Sequence, residues 1–361
     1  MVTAAAQLPQ VPEGYVVVPA AVEPHAHLDK AFLADVVTNE TGDLEGAIAA
    51  MQAARARLNV AETIERAERA ARTMAANGYR AVRTHADVTV ENGLTSVEAL
   101  VEARRRLAGV IDMQIVALCG RPVCGLAGDT VRRLLVDALA AGADLVGGCP
   151  HLEPDGTSPA TDLLMQVATE FGRGVDLHTD ETLDPAVDGL SDLAEFVLAT
   201  GFEGAVTASH CVSLGMRSAV DQRRIAERVL AAGIGVVALP ATNLFLQGRA
   251  HQTAMPRGLT AVRALRDVGV NVAAGADNVQ DPFNPLGRMC PFETAGLMIL
   301  GAHLLPDDAW QTVSTAAAAV TGFAVGEDDV IAVRARSVRE AIALGGPDRL
   351  VWRAGELQHD L

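Results

Sequence analysis

The sequence predicts an α/β protein, a (β/α)8 TIM barrel with a reduced or rearranged small β side domain from the chain termini. Three observations carry that expectation. Eight apolar runs rich in Val, Ile and Ala recur along 361 residues, amphipathic segments of helical spacing separate them, and glycine stops close several of those segments. Strand and helix alternating eight times is the pattern of a closed parallel barrel, with an open doubly wound sheet as the second choice. No glycine-rich dinucleotide fingerprint follows the first run to favour that second choice.

The expected strands are 15–22, 81–88, 112–119, 144–149, 174–178, 205–210, 234–239 and 271–274. The expected helices are 60–77, 96–107, 129–141, 160–171, 190–200, 220–232 and 260–268. Strand starts fall about 30 residues apart, the length of one strand-helix unit, except for a first gap with room for two helices. Stops at Asn77-Gly78, Gly142, Gly172 and Gly233 stand just ahead of the next strand. Beyond the barrel, 330–333 and 349–352 read as short strands with a helix at 337–344 between them, and an Ala-rich helix is expected over 314–320. The division that follows is a barrel over 14–320, with 1–13 and 321–361 as the remnant of a small β-rich side domain.

Half of the chain is apolar, enough to bury one barrel-sized core. The first residues lack a basic segment followed by an apolar one, and no stretch approaches the roughly 18 uncharged apolar residues of a membrane span. A soluble, cytoplasmic protein is the expectation. A formal charge of −16 repels phosphate backbones and anionic lipid, which argues against nucleic-acid and membrane partners and for a small ligand that is neutral or cationic. The five cysteines are scattered, odd in number and without CxxC spacing, so neither a disulfide framework nor a thiolate metal site is expected.

The segment Glu23-Pro-His-Ala-His-Leu-Asp-Lys30 ends the first apolar run with two histidines one residue apart. Alternate residues of a strand face the same way, so His25 and His27 can offer two imidazoles to one metal ion, although such a pair is often only a polar strand end. The other polar residues change that balance, because catalytic groups of a barrel stand at the carboxyl ends of its strands. His85 ends the second run, His151 follows the fourth, His178 and Glu181 end the fifth, His210 the sixth and Asp277 the eighth. Six of nine histidines lie at such places. His25, His27, His178 and Asp277 together are the expected metal set; for His85 and His151, a hydrogen bond behind the ligands is as good a reading as substrate contact. Lys30 is the chain's one lysine. Its position after His-Ala-His-Leu-Asp suggests an ammonium near the site, and the absence of any other lysine excludes a two-metal site bridged by a carbamylated lysine farther along the barrel.

The segments Glu23-Pro-His-Ala-His-Leu-Asp-Lys, Val82-Arg-Thr-His-Ala-Asp-Val, Asp176-Leu-His-Thr-Asp-Glu, Val206-Thr-Ala-Ser-His, Asn243-Leu-Phe-Leu-Gln-Gly-Arg and Gly275-Ala-Asp-Asn-Val-Gln-Asp-Pro-Phe-Asn-Pro-Leu-Gly resemble the cytosine deaminase-like amidohydrolases, in order and with similar spacing from about residue 14 to residue 320. N-isopropylammelide amidohydrolase is a relative with a similar His-Leu/Met-Asp-Lys segment. The resemblance implies one divalent ion, Zn2+ or Fe2+, held by His25, His27, His178 and Asp277. Asp277 would also take a proton from the attacking water, Glu181 would protonate a ring nitrogen and then the leaving amine, and His210 would hydrogen-bond the water or the tetrahedral centre. The implied reaction is hydrolytic deamination of an aminated N-heterocycle. Hydrolysis of a cyclic amide, release of an alkylamine and a non-catalytic scaffold are the alternatives.

Departures from the pattern bear on the substrate. Where relatives place a glutamine that binds a pyrimidine amide edge, this chain has Val116-Ala-Leu-Cys119-Gly120-Arg121. Gly120 is expected to leave space, and Arg121 to meet a carbonyl or carboxylate on a different or larger ring. Asn278 replaces a second Asp, Ala276 a preceding His, and Gln247 remains as a candidate amide reader. The substrate-contact candidates are therefore Lys30, His85, Cys119, Gly120, Arg121, His151, Gln247 and Asn278. Relatives usually carry several strands ahead of the His-X-His strand, whereas 24 residues precede His25; barrel surface left uncovered would be buried by a homo-oligomer.

Overall fold

The computed structural model describes residues 11–358. Within them the strands are β1 (Tyr15–Pro19), β2 (Ala21–Ala26), β3 (Tyr79–Val88), β4 (Asp112–Cys119), β5 (Leu145–Gly147), β6 (Gly174–Thr179), β7 (Val206–His210), β8 (Gly235–Ala238), β9 (Val272–Ala274), β10 (Val330–Arg334), β11 (Arg349–Arg353) and β12 (Glu356–Leu357). Strands β2 to β9 lie side by side in chain order, all parallel, with helices between them: a TIM barrel. The first gap holds two long helices, Leu44–Ala54 and Val60–Ala76. In the second of these, Asn59 caps the N-terminus by accepting from the Glu62 N–H, and Ile64, Ala67, Ala71 and Met74 form the stripe buried against the barrel. Gly142 and Gly172 end their helices in the left-handed conformation, as their positions lead one to expect.

The strand expected over 15–22 is two strands in two sheets. β1 pairs antiparallel with β10, Tyr15 opposite Arg334 and Pro19 opposite Val330, in a small sheet ordered β1-β10-β11-β12. Pro19 has no N–H to continue the pairing, so the chain leaves that sheet at Ala20, whose N–H reaches Asp329 O, and enters the barrel at Ala21. An apolar run with no polar break conceals such a switch. The Ala-rich stretch expected as one helix over 314–320 is Thr315–Thr321, preceded by a separate helix Pro306–Val313. The expectation for the chain ends that concerns residues 1–10 and 359–361 lies outside the described residues.

The barrel closes through the residues that follow β9. Ala26 and Asp277 form an isolated parallel bridge, the His27 N–H donating to Asp277 O at 3.2 Å and the Asp277 N–H to His25 O at 3.0 Å. Gly275 permits this approach, since a Cβ there would lie 2.6 Å from Glu23 Oε1 and 3.1 Å from His25 O. Glu23 is wholly buried and its carboxylate accepts from the N–H groups of His25 and Ala276, tying the two edges of the seam together. Thus the seam and the candidate metal ligands are the same stretch of chain.

No helix of the described residues is long and apolar enough to cross a membrane.

Candidate active site and metal centre

Alternation along β3 sends Arg83, His85 and Asp87 into the barrel at three depths. At the bottom, Arg83 donates to Asp176 Oδ2 at 2.9 Å, Thr207 Oγ1 at 3.0 Å and Thr321 O at 2.9 Å. Both charged residues are buried, so the pair is compensated by hydrogen bonds rather than by water. Asp176 Oδ1 accepts from Ser209 Oγ at 2.8 Å, and Ser209 Oγ in turn lies 2.9 Å from His25 Nδ1. This relay makes His25 Nδ1 a donor and leaves Nε2 with a free lone pair.

Above that layer, four imidazoles and a carboxylate converge. His27 Nε2 lies 3.2 Å from His178 Nε2 and 3.3 Å from Asp277 Oδ1, and His25 Nε2 lies 3.7 Å from the same oxygen. His25 Nε2, His178 Nδ1, His210 Nε2 and both Asp277 carboxylate oxygens have no hydrogen-bond partner, although all are buried. Orphaned buried donors and acceptors are costly, and here they face one another. Ligands about 2.0–2.2 Å from a tetrahedral ion stand about 3.4 Å apart, which is the spacing found. Nitrogen and carboxylate donors suit a divalent ion of the Zn2+ or Fe2+ type, so the residues present fit a metal. His25, His27 and Asp277, and likewise His25, His178 and His210, bring ligand atoms within 4.8 Å of one another.

The electrostatics favour ligation. Burial, and then the neighbouring imidazoles, hold His25 and His178 well below the ordinary histidine range, so their rings are neutral. Burial pushes the Asp277 carboxyl up, but the imidazoles of His27, 3.3 Å from its Oδ1, and of His210 outweigh it and leave it below its ordinary value. Glu181 goes the other way: burial, then repulsion by Asp277, raises it well above the carboxylate range. One carboxyl is ionised and its neighbour protonated. That division suits a base and an acid in one site.

His210 lies 3.0 Å from Asn243 Oδ1 through its Nδ1, and Asn243 Nδ2 donates to Gly258 O, which fixes the amide orientation. The His210 Nδ1–H therefore donates and Nε2 is left free toward the site. His210, Cys211, Asp180 and Asp277 adopt positive φ (70°, 49°, 51° and 62°), a conformation that costs a non-glycine residue about 1–3 kcal/mol. Four such residues at the carboxyl ends of β6, β7 and β9 mark where the fold spends stability to aim side chains.

One cavity opens above this cluster. His27, Lys30, His178, Glu181, His210 and Asp277 line its floor, and Cys119, Gly120, Arg121 and Asn278 belong to its walls. Burial drives the Cys119 thiol up to about 12, so it contributes a neutral surface. Gly120 packs against Thr89, whose Cγ2 would lie 3.1 Å from an added Cβ, and both residues line the cavity. Arg121 is exposed and donates to Leu152 O at 3.3 Å. Asn278 Nδ2 is engaged by Asp281 at 2.7 Å.

His85, His151 and Gln247 do not line the cavity. β3 runs on to Val88, so His85 lies inside the barrel rather than at its rim, with its ring centroid 3.9 Å from that of His25. His151 Nδ1 donates to His178 O at 3.1 Å, and burial lowers its pKa to about 3. Gln247 Nε2 donates to Glu181 O at 3.3 Å. The last two brace the backbone of site residues from behind the wall.

Sequence reasoning missed Asp87, Arg55 and Glu153, all of which line the cavity. Asp87 accepts from Lys30 Nζ at 2.7 Å and from Arg55 Nη2 at 2.8 Å, and Arg55 also donates to Thr89 Oγ1 at 2.7 Å. Arg55 follows the helix Leu44–Ala54, so the long first gap folds back over the cavity mouth. An aspartate within an otherwise apolar strand end was the available signal for Asp87; Arg55 had none among so many arginines.

Comparison with known proteins agrees with this architecture. A model described as the amidohydrolase family matches residues 67–325. Pterin deaminase of Rhizobium rhizogenes (strain K84) is 33% identical over 351 residues, which cover 94% of this chain and 79% of that protein. The crystal structure of 5-methylcytosine deaminase from Klebsiella pneumoniae liganded with 5-fluorocytosine is similar with a TM-score of 0.88 at 29% identity, covering 99% of this chain and 91% of that one. N-isopropylammelide isopropylaminohydrolase from Burkholderia multivorans is similar with a TM-score of 0.82 at 30% identity, covering 98% and 90%. With a family model matched over more than half its length and a relative aligned over nearly all of it, the chain belongs to the amidohydrolase family.

Proposed function

We propose that this chain is a metal-dependent aminohydrolase that replaces an amino group on a cyclic amidine carbon of a nitrogen heterocycle with an oxo group, releasing ammonia. The observation that carries this reading is the convergence of His27, His178, His210, Glu181 and Asp277 at the floor of one cavity, with His25 Nε2 3.7 Å from Asp277, and with buried atoms of His25, His178, His210, Glu181 and Asp277 left without hydrogen-bond partners. A divalent ion, Zn2+ or Fe2+, held by His25, His27, His178 and Asp277 would supply Lewis acidity and bring the pKa of a water down to about 7.

The protein's own groups do the rest. Asp277, ionised, accepts the proton of the attacking water. His210 Nε2, its lone pair aimed by the Nδ1 bond to Asn243, accepts a hydrogen bond from that water and orients it. Glu181, protonated, delivers its proton to the ring nitrogen beside the attacked carbon; once ionised, it can relay a proton to the departing amine. The cavity walls exclude bulk water, which strengthens each of these interactions.

The names of the similar proteins point to the substrate class, a small aminated heterocycle such as a pterin, a cytosine or a triazine. The similarity to N-isopropylammelide isopropylaminohydrolase supports a second reading, release of an alkylamine. Incubation with amino- and alkylamino-substituted pyrimidines, pteridines and triazines separates the two. Ammonia and an oxo product are expected; alkylamine as the sole product, or ring opening, would contradict the proposal.

A further inference from the structure

Of the cavity's carboxylates, Glu181 and Asp277 serve the reaction above, Asp87 is held by Lys30 and Arg55, and Glu91 is exposed, whereas Glu153 is buried and outside the reaction. It follows the short turn Pro150–Leu152 after β5 and is 8% exposed. Its Oε1 accepts from the Val123 N–H at 2.8 Å. Its Oε2 is buried without a hydrogen-bond partner. The neighbouring Cys124 thiol, raised by burial and by the Glu153 charge, is a weak donor and leaves that oxygen's acceptor capacity largely open. Glu153 lines the substrate cavity, and a buried carboxylate oxygen on it that lacks a strong donor from the protein is a site waiting for a donor from the ligand.

Several other wall residues are poor readers of a ring N–H: Gly120 brings no side chain, Cys119 is a neutral thiol, the amide of Asn278 is engaged with Asp281, and Arg55 and Arg121 can only donate. We infer that Glu153 determines substrate specificity by accepting a hydrogen bond, through Oε2, from an N–H on the edge of the heterocycle remote from the attacked amidine. The inference rests on the reading of the site as a heterocycle aminohydrolase and adds the chemical class of its substrate: rings that carry a donor, not a lone pair, at that edge.

The local geometry supplies an unusually clean test. In Glu153→Gln the Val123 N–H still needs an acceptor, so the amide oxygen is held at the Oε1 position and the NH2 group takes the place of Oε2. The group at the Oε2 position is thereby inverted from acceptor to donor at constant size. Two substrate pairs share the attacked amidine and differ at a remote ring nitrogen: 7,8-dihydropterin, with an N8–H, against pterin, with a lone pair there; and cytosine, with an N1–H, against 1-methylcytosine.

For whichever skeleton the wild type deaminates, kcat/KM is expected to favour the N–H member by about 10- to 100-fold, the worth of a hydrogen bond to a charged group. In Glu153→Gln that ratio is expected to collapse by at least about tenfold, with metal content and melting temperature unchanged. A ratio in Glu153→Gln within about twofold of wild type would overturn the inference while leaving the aminohydrolase reading intact. A wild type that binds and deaminates neither skeleton would overturn that reading, and this inference with it.

Discussion

The ammonium of Lys30 lies 3.1 Å from Nδ1 of His27 and 2.7 Å from Oδ1 of Asp87. Burial alone would lower the pKa of this lysine, but Asp29 and Asp87 outweigh it and hold it above the ordinary value, so Lys30 is a donor. Nδ1 of His27 is then the acceptor, and the ring proton sits on Nε2, facing Asp277 at 3.3 Å. A metal ion at Nε2 would displace that proton to solvent, and the Lys30 ammonium beside Nδ1 would offset the negative charge left on the ring. The chain's one lysine thus sets the tautomer of a candidate metal ligand.

Replacing Lys30 with Met is expected to lower kcat/KM and the affinity for the metal by about 10- to 100-fold, the usual cost of losing a group that orients a ligand. Lys30→Arg should not restore either property, because a guanidinium is wider and presents a planar fork rather than a point charge. Titration with a chelator, alongside ammonia release, checks both. Wild-type behaviour of Lys30→Met would separate the lysine from the metal centre.

Glu181→Gln removes the transferable proton and keeps the shape. Turnover should fall by about 10²- to 10⁴-fold while metal stoichiometry is retained, as expected for loss of a general acid. A variant with wild-type kcat would take Glu181 out of the mechanism.

Asn243→Ala frees His210 Nδ1 and with it the choice of tautomer. We expect kcat to fall by about tenfold or more with KM little changed, because the lost interaction concerns orientation in the transition state. A rise in KM alone would place Asn243 in ground-state binding.

Glu23 makes stability depend on pH. Burial raises its folded-state pKa to about 8, against hydrogen bonds from Ala276 and His25 that lower it. A folded pKa above the unfolded one means that the native state binds more protons between the two values. The contribution is therefore full below about 4.5, the unfolded value, and is lost as pH rises toward about 8. Thermal melting of wild type and Glu23→Gln across pH 5 to 8 should show the wild type losing stability relative to the variant as pH rises. Parallel curves would contradict this account.

Much of this was legible in the sequence because barrels write their chemistry at strand ends. His25, His178, His210 and Asp277 stood out as polar residues terminating apolar runs, and the structure brings them together. Where the logic failed, a specific physical feature intervened. The run 15–22 contains a change of sheet at Ala20 that hydrophobicity does not mark. His85 reads as a strand end although the expected strand 81–88 and the observed β3 both run three residues past it, which keeps it inside the barrel. Gln247 and His151 hydrogen-bond the backbone of Glu181 and His178, contacts that no spacing rule encodes. Arg55 and Glu153 reach the cavity from loops, where position depends on the path of the whole chain.

The central claim is that His25, His27, His178 and Asp277 hold one divalent ion that the reaction requires. Elemental analysis of the purified protein, wild type beside Asp277→Asn, tests it most directly. About one equivalent of zinc, iron or a similar ion per wild-type chain is expected, with most of it lost in the variant. Wild-type protein that releases ammonia while holding less than about a tenth of an equivalent would contradict the account.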